Sequence, residues 1–306
     1  DINDSNSNII NLHWIGNEML SIKQISKIKK TVVWTLHDMW PYTAIENYTD
    51  INKFNTNYAH NNNNLPFFLK YIYDLKIKNF ENVKFVICTS EWQKRMVEKS
   101  LVFKKAKKII IPLPLDFKLW SPKEKKKSKI KLNLSLDKKV ILFISSHKYT
   151  SKRKGLNFVL NYLENSKRKD LIFLSVNCPN VKILNKNIKH INFDNIISLD
   201  ERIDIYSSAD LFLMPSKTES FGQTALEAHA CGCPIVTFKN TGPQDIVDHF
   251  KTGYISNYLD YYDFKKGIEW SLSNDFNKNY IRSYVENKFS EEVIIKKYKN
   301  LFKDLT

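Results

Sequence analysis

Two glutamates eight residues apart, Glu219 and Glu227, lie where an apolar run gives way to a helical pattern. The run Leu211–Met214 has the length and composition of a buried strand, and Gly222 opens the helical stretch that contains the second glutamate. A carboxylate accepts hydrogen bonds from a pair of neighbouring sugar hydroxyls. One acid before a helix and one inside it can therefore hold opposite ends of a single ligand.

The start of that helix favours a diphosphate between the two ends of the ligand. The first N–H groups of a helix have no partner within it and carry partial positive charge, so they attract phosphate. Gly222 has no side chain and lets a ligand approach the backbone closely. These features suit a nucleotide sugar. The spacing alone is equally typical of an amphipathic helix after a polar loop, with Glu227 in solvent.

The elements that position these residues alternate along the chain. Strands are predicted at Ile9–His13, Thr31–His37, Lys84–Thr89, Lys108–Ile111, Lys139–Ile144, Asp170–Val176, Ile188–Phe193, Asp210–Met214 and Pro234–Phe238. Helices are predicted at Asn64–Phe80, Glu91–Ser100, Gly155–Asn165, Ser198–Ser208, Gly222–Ala230 and Gln244–Asp248. Such alternation implies parallel sheets covered by helices on both faces. Ligands of these sheets bind beyond the carboxyl ends of the strands, where the loop with Glu219 lies.

A stretch with closely spaced prolines divides this pattern in two. We place a hinge at residues 113–122, between an N-terminal domain at 1–112 and a C-terminal domain at 123–285. Residues 286–306 are predicted to form a closing helix. Residues 1–112 contain few strands for a complete doubly wound domain, so we expect its first strands to be absent from this sequence.

Composition restricts the class of protein. The chain has 306 residues, 42% of them hydrophobic, with a formal net charge of +16, and no apolar run is long enough for a transmembrane helix. Only five of its 48 basic residues are arginines, which argues against base-specific recognition of nucleic acid. We interpret most of the charge as solvated surface. Lys104–Lys108 could face a membrane, and Lys123–Lys129 are predicted to be exposed and flexible.

Four sequence elements, in family order, resemble the retaining glycosyltransferases of family 4. That family has the GT-B fold, in which two Rossmann-like, doubly wound parallel-sheet domains face a cleft. The signature Glu-x7-Glu reads Glu219-Ser-Phe-Gly-Gln-Thr-Ala-Leu-Glu227. The other elements are Thr35-Leu-His-Asp-Met-Trp-Pro41, Ser151-Lys-Arg-Lys-Gly155 and Asn240-Thr-Gly-Pro-Gln-Asp-Ile246. The resemblance covers nearly the whole chain.

This resemblance implies a donor-binding role for the matching residues. Glu219 would hold hydroxyls of the donor sugar, Glu227 would accept from the ribose hydroxyls, and Lys154 would neutralise the leaving diphosphate. Lys148 stands where many relatives have an arginine, and it lacks the bidentate fork of that residue. The implied donor-binding set is Lys148, Arg153, Lys154, Glu219, Ser220, Phe221, Gly222, Gln223 and Glu227.

The implied catalytic set is His37, Glu219 and Lys154, because His37 occupies the position at which the family's histidine contacts the donor sugar. Asp38 would orient His37 or cap the next segment. His13 and Trp14 end another strand and would face the acceptor, although local packing explains them equally well. The next loop lacks the Gly-Gly-Cys-His sequence of close relatives, so the resemblance implies no acceptor identity.

The expected activity is that of a retaining hexosyltransferase. It would move a hexose-type sugar from a UDP- or GDP-type donor to a saccharide or lipid-linked acceptor in capsule or lipopolysaccharide synthesis. We expect no cofactor, no metal and no nucleic-acid partner, since the Asp-x-Asp metal clamp of the other glycosyltransferase fold is missing. The expected location is cytoplasmic and peripheral at the anionic inner face of the cell membrane. Two alternatives stay open: a nucleotide-sugar epimerase of the same fold, and a basic polyanion- or RNA-binding protein.

Overall fold

The chain forms two compact units in a computed structural model. The structure describes residues 2–15, 19–59, 64–145, 152–178, 180–194 and 198–305. Unit 1 comprises Asp1–Leu113, Thr218–Phe221 and Glu292–Thr306, and unit 2 comprises Pro114–Lys217 and Gly222–Glu291. Each unit is built around one parallel β-sheet.

Strands and helices alternate through most of the described chain. The strands are β1 (Ile9–Leu12), β2 (Thr31–Thr35), β3 (Val83–Cys88), β4 (Lys107–Ile110), β5 (Lys139–Ile144), β6 (Leu171–Val176), β7 (Lys189–Phe193), β8 (Leu211–Met214), β9 (Ile235–Phe238) and β10 (Gly253–Ser256). The helices are α1 (Ile22–Ile25), α2 (Ile51–Asn57), α3 (Phe67–Asn79), α4 (Glu91–Lys99), α5 (Lys125–Lys131), α6 (Leu156–Glu164), α7 (Leu199–Ser208), α8 (Gln223–Ala230), α9 (Tyr261–Ser273), α10 (Lys278–Phe289) and α11 (Glu291–Lys303). Short 3-10 turns occur at Trp40–Tyr42 and Gly242–Asp245.

The sheet of unit 1 has the order β1-β2-β3-β4, with every neighbouring pair parallel. The central strands β2 and β3 carry buried apolar side chains on both faces, as a parallel sheet covered on both sides requires. On one face, Val33 and Ile87 pack against Ile294 and Leu301 of α11. A helix that follows unit 2 in sequence therefore completes the core of unit 1.

The sheet of unit 2 has the order β10-β9-β8-β5-β6-β7 and is parallel throughout. Strand order reverses between β5 and β8, and ligands of such sheets bind beyond the carboxyl ends of the strands at this reversal. The loops that follow β5 and β8 carry the residues around Lys154 and Glu219. The topology therefore brings these two loops to the same edge of the sheet.

The nine predicted strands correspond to β1–β9, and the prediction of parallel sheets is confirmed. The helix predicted at Gln244–Asp248 is wrong, because Pro243 takes part in the 3-10 turn Gly242–Asp245. The flexible segment predicted at Lys123–Lys129 is also wrong. Most of the segment forms α5. Lys123, Lys125, Lys129 and Lys131 form ion pairs with three aspartates of unit 2, which are Asp200, Asp204 and Asp210.

The segment predicted as a hinge lies mostly in unit 2, where Arg282 of α10 holds it. Its guanidinium donates to the carbonyl oxygens of Phe117 at 2.5 Å and Trp120 at 2.5 Å, and to that of Ala230 at 2.7 Å. Two of these charge-assisted hydrogen bonds fix the segment against α10, and the third joins α10 to the end of α8. Every helix in the described part of the chain is too short or too polar to cross a lipid bilayer.

Candidate active site

Glu227 lies on α8 with only 8% of its surface exposed. Its Oε2 atom accepts a hydrogen bond of 2.8 Å from the hydroxyl of Tyr206, a fully buried residue of α7. Burial raises the pKa of Glu227 and outweighs the Tyr206 hydrogen bond and the positive charges of Arg202 and Lys154. The interpretation of Glu227 as a solvated helix residue is therefore wrong.

Lys154 is almost as buried as Glu227, with 8% of its surface exposed, and its charge acts on that carboxylate. The next residue, Gly155, has a φ of +79°, and a Cβ there would lie 1.9 Å from the carbonyl oxygen of Pro215. The amide of Lys217 also donates to the carbonyl of Arg153 at 2.8 Å. These contacts join the loops that follow β5 and β8. Lys148 lies outside the described residues.

Gly222 begins α8 with a φ of +100°, and a Cβ there would lie 2.7 Å from Cγ of Pro243. No side chain caps the helix at this position. The Oε1 atom of Gln223, the first residue of the helix, is buried without a hydrogen-bond partner in the structure. The helix N-terminus thus offers backbone donors, and Gln223 offers an acceptor, for polar groups of a ligand.

The loop with Glu219 belongs to unit 1 by its contacts. Glu219 is 7% exposed, and Ser220 and Phe221 are more deeply buried. The hydroxyl of Ser90, which caps α4, donates to the carbonyl of Ser220 at 2.5 Å. This hydrogen bond fixes the backbone directly after Glu219, whereas the Ser220 hydroxyl is buried and has no partner in the structure.

His37 follows β2 and is half-buried, with its Nε2 atom 3.0 Å from Nδ1 of His13. Burial lowers the pKa of His37, and the neighbouring His13 imidazole lowers it further. Burial lowers the pKa of His13 as well. Both rings are therefore expected to be uncharged near neutral pH.

Asp38 is buried beside His37 and holds two donors. Its Oδ1 accepts from the amide of Trp40 at 3.0 Å, and its Oδ2 accepts from the indole of Trp14 at 3.2 Å. Burial raises the pKa of Asp38, and this effect outweighs the two hydrogen bonds, which lower it. Both carboxylate oxygens are therefore engaged in fixing the loop.

Lys76 supports the same loop from α3. Its ammonium, which is fully buried, donates to the carbonyls of Trp40 at 2.5 Å and Thr43 at 3.1 Å. Burial lowers the pKa of Lys76 to about 7. The lysine thus ties the backbone after Asp38 to the unit 1 core.

The structure groups the predicted residues within each unit. Unit 2 holds Arg153, Lys154, Gly222, Gln223 and Glu227. Unit 1 holds His13, Trp14, His37, Asp38, Glu219, Ser220 and Phe221. The sequence analysis missed Tyr206 and Lys76, because a tyrosine and a lysine in helical patterns give no sign of their burial. Among the described residues, no group of three or more His, Cys, Asp or Glu side chains is arranged to hold a metal ion.

Comparisons with known proteins extend these observations. Residues 124–288 match the family described as glycosyl transferases group 1. The capsular polysaccharide biosynthesis glycosyltransferase CapM of Staphylococcus aureus is 30% identical over 128 residues, which is 40% of this chain and 30% of that protein. A D-inositol 3-phosphate glycosyltransferase of Corynebacterium jeikeium is 43% identical over 56 residues, or 18% of this chain and 13% of that protein. The matched segments thus span less than a third of these relatives.

Solved structures resemble almost the whole chain. Sucrose-phosphate synthase of Thermosynechococcus elongatus superposes with a TM-score of 0.71 at 19% identity, covering 97% of this chain and 73% of that one. Anabaena Alr3699/HepE in complex with UDP and glucose gives a TM-score of 0.66 at 15% identity, covering 97% and 77%. The predicted GT-B fold class is confirmed. Since the family match spans more than half of its residues, the chain belongs to the group 1 glycosyltransferases.

Proposed function

We propose that this protein is a retaining glycosyltransferase that transfers a hexose-type sugar from a nucleotide-diphosphate sugar to a saccharide or lipid-linked acceptor. The observation that carries the proposal is the burial of Glu227 next to the charge of Lys154 in unit 2. Burying a carboxylate costs free energy unless partners stabilise it. Tyr206 supplies one hydrogen bond, and the ribose hydroxyls of a nucleotide would supply the others.

In the proposed donor site of unit 2, each group has a separate task. Glu227 accepts from the ribose hydroxyls, and the uncapped amides at the start of α8 bind the diphosphate. Lys154, with Arg153 and Lys148, offsets the negative charge that develops as the nucleotide diphosphate leaves. We propose no metal and no cofactor for this transfer.

In unit 1, His37 and Glu219 are proposed to contact the transferred sugar. Glu219 would accept from its hydroxyls, and the buried backbone of Ser220 and Phe221 would line the same side. Asp38, His13 and Trp14 are proposed for the acceptor side, since they follow β1 and β2 at the carboxyl edge of the unit 1 sheet.

The donor and the pathway are proposed from relatives. Anabaena Alr3699/HepE was solved with UDP and glucose, and the S. aureus relative is described as a capsular polysaccharide enzyme. We therefore propose a UDP-type donor, with GDP as the alternative, and synthesis of a capsule- or lipopolysaccharide-like polymer. Both assignments rest on resemblance and stand apart from the residue roles above.

The test is a donor screen by thermal shift with UDP, GDP, ADP and their sugars. One nucleotide is expected to stabilise the protein, by about 2.7 kcal/mol at about 100 times its Kd. Glu227→Ala should abolish that gain, whereas the control Glu292→Ala removes an exposed carboxylate of α11 and should retain it. Stabilisation by no nucleotide would contradict the proposal. A product analysis that finds free epimerised donor would favour the alternative function, a nucleotide-sugar epimerase.

We further propose that unit 1 attaches to an anionic membrane surface from the cytoplasmic side. Its exposed lysines include Lys23, Lys27, Lys29, Lys104, Lys105 and Lys107. The first turn of α3 also exposes Phe67 (90%), Phe68 (66%) and Tyr71 (53%), whose aromatic rings suit the headgroup region. The protein should sediment with anionic vesicles but not with neutral ones, and Phe67→Ser with Phe68→Ser should weaken binding. Equal sedimentation with both vesicle types would contradict attachment by charge.

A further inference from the structure

A chain of hydrogen bonds in unit 1 runs from α11 to His37. The hydroxyl of Tyr298 lies 3.2 Å from Oγ1 of Thr35, and Thr35 donates to Oδ1 of Asn11 at 3.1 Å. The Nδ2 atom of Asn11 lies 3.1 Å from Nε2 of His13. His13 Nδ1 lies 3.0 Å from His37 Nε2. Five side chains are thereby connected without a break.

The orientation of the Asn11 amide sets the direction of each bond in this chain. Asn11 Nδ2 can only donate, so His13 Nε2 must accept, and the proton of the neutral His13 ring lies on Nδ1. His13 therefore donates to His37 Nε2, which places the proton of His37 on Nδ1. At the other end of the chain, the Thr35 hydroxyl donates its one proton to Asn11. It therefore accepts from the Tyr298 hydroxyl.

The register of the two strands creates the contact. β1 and β2 are parallel and adjacent, and side chains 24 residues apart meet across them: Asn11 with Thr35, His13 with His37 and Trp14 with Asp38. Thr35 is fully buried, and its hydrogen bond to Oδ1 of Asn11 turns Nδ2 of that amide towards His13. The end of β1 and the residues after it thus present a row of donors and acceptors to the end of β2 and the residues after it.

We propose that Asn11 and His13 are positioning residues that hold His37 in the tautomer with its proton on Nδ1. The proposal rests on the function proposed above for His37, since the Nδ1–H group is the donor that the ring then offers to a bound sugar oxygen. The opposite tautomer would present a lone pair there instead. A positioned donor is useful only if its proton is on the correct nitrogen before the ligand arrives.

Asn11→Asp tests the direction of the chain. A carboxylate cannot donate, so a neutral His13 must turn its proton to Nε2, and Nδ1 of His13 becomes the acceptor. His37 should then carry its proton on Nε2. Long-range ¹H–¹⁵N spectra of ¹⁵N-histidine protein report which nitrogen is protonated, and His37→Gln assigns the signals. Asn8→Asp adds the same charge at an exposed position just before β1 and should leave the tautomer unchanged.

Inversion of the His37 tautomer in Asn11→Asp, but not in Asn8→Asp, supports the proposal. Retention of the His37 Nδ1–H tautomer in Asn11→Asp, at a pH where the same spectra show His13 to be neutral, overturns it. If Asn11→Asp fails to fold, the same spectra of Thr35→Val test the proposal. That substitution removes the hydroxyl that orients Asn11 while keeping the shape of the side chain. That variant should show both His37 tautomers, and a single unchanged tautomer would overturn the proposal.

The outcome is independent of the proposed function. Asn11→Asp should keep the full thermal shift with nucleotide, because the nucleotide is proposed to bind residues of unit 2. If the wild type shows no shift with any nucleotide, the proposed function fails while the tautomer experiment still decides the role of Asn11 and His13.

Discussion

At the scale of single residues, burial and the neighbouring groups have opposite effects on the charge of Glu227. Burial favours the neutral acid, whereas Tyr206, Arg202 and Lys154 favour the carboxylate. Only one of its oxygens is paired with Tyr206 in the structure. The charge state of this side chain should therefore depend on both pH and ligand.

Nucleotide binding should weaken as the pH falls through the raised pKa of Glu227. Protonation turns an acceptor of ribose hydroxyls into a donor, and a hydrogen bond to a charged group contributes about 1.5–3 kcal/mol, or about 10- to 100-fold in Kd. Tyr206→Phe removes an interaction that lowers this pKa, so the loss should begin at a higher pH. Isothermal titration calorimetry from about pH 8 down to about pH 5 measures both curves.

The stability of the unliganded protein should change in the opposite direction. A carboxyl whose pKa is raised on folding binds more protons in the folded state, so its protonation favours the fold as the pH falls. Glu227→Gln should therefore not lower the Tm of the unliganded protein at neutral pH, although it loses the nucleotide response. A binding curve that stays flat over the whole pH range would contradict the assignment of Glu227.

At the scale of elements, α5 shows how a run of lysines becomes a folded helix. These lysines surround Asp204 of the neighbouring helix α7, whose side chain is 3% exposed. It accepts from Lys131 at 2.5 Å, Ser128 at 2.9 Å and Lys123 at 3.0 Å. Burial opposes its ionisation, but these hydrogen bonds outweigh burial and lower the pKa of Asp204.

Asp204→Asn should destabilise unit 2 by about 2 kcal/mol, because it leaves lysines beside a buried amide. Asp200→Asn is the matched control, since Asp200 pairs with the same two lysines from an exposed position of α7 and should matter little. A carboxyl with a lowered pKa stabilises the fold above that pKa and loses this effect as the pH falls through it. Urea unfolding near neutral pH and in acid measures both effects, and equal losses in the two variants would contradict the role of Asp204.

The sequence predicted elements where local pattern decides and missed those that depend on distant partners. The central strands β2, β6, β8 and β9 are mainly apolar and buried, because a strand covered on both faces has few exposed positions. β10 begins with a glycine at the edge of its sheet, and α5 reads as solvated lysines, so neither gives a local signal. The Glu-x7-Glu spacing similarly located Glu227, but its hydrogen bond to Tyr206 depends on how α7 packs against α8.

At the scale of the whole molecule, unit 1 is assembled from distant segments of chain. The helix α11 contributes Ile294 and Leu301 to the core on one face of the unit 1 sheet. Tyr298 of the same helix reaches Thr35 of β2. The stability of unit 1 therefore depends on residues that follow unit 2 in sequence.

Ile294→Ala should destabilise unit 1 by about 3 kcal/mol, because its side chain is 2% exposed and its removal leaves a cavity. The adjacent Ile295 is 50% exposed, and Ile295→Ala should cost less than about 1 kcal/mol. Hydrogen exchange should show the loss in β2 and β3 but not in β5 and β8. Similar effects of the two substitutions would contradict the packing of α11 on this sheet.

The dependence of the first sheet on α11 also sets an order for events during synthesis. The ribosome makes β1–β4 well before it makes Ile294 of α11. Unit 2, in contrast, ends at Glu291, the first residue of α11, so it is complete before the rest of that helix is made. Nascent chains fold by domains as each becomes complete. Unit 2 can therefore fold first. The apolar face of the unit 1 sheet that α11 later covers stays exposed and needs shielding from other chains until translation reaches that helix.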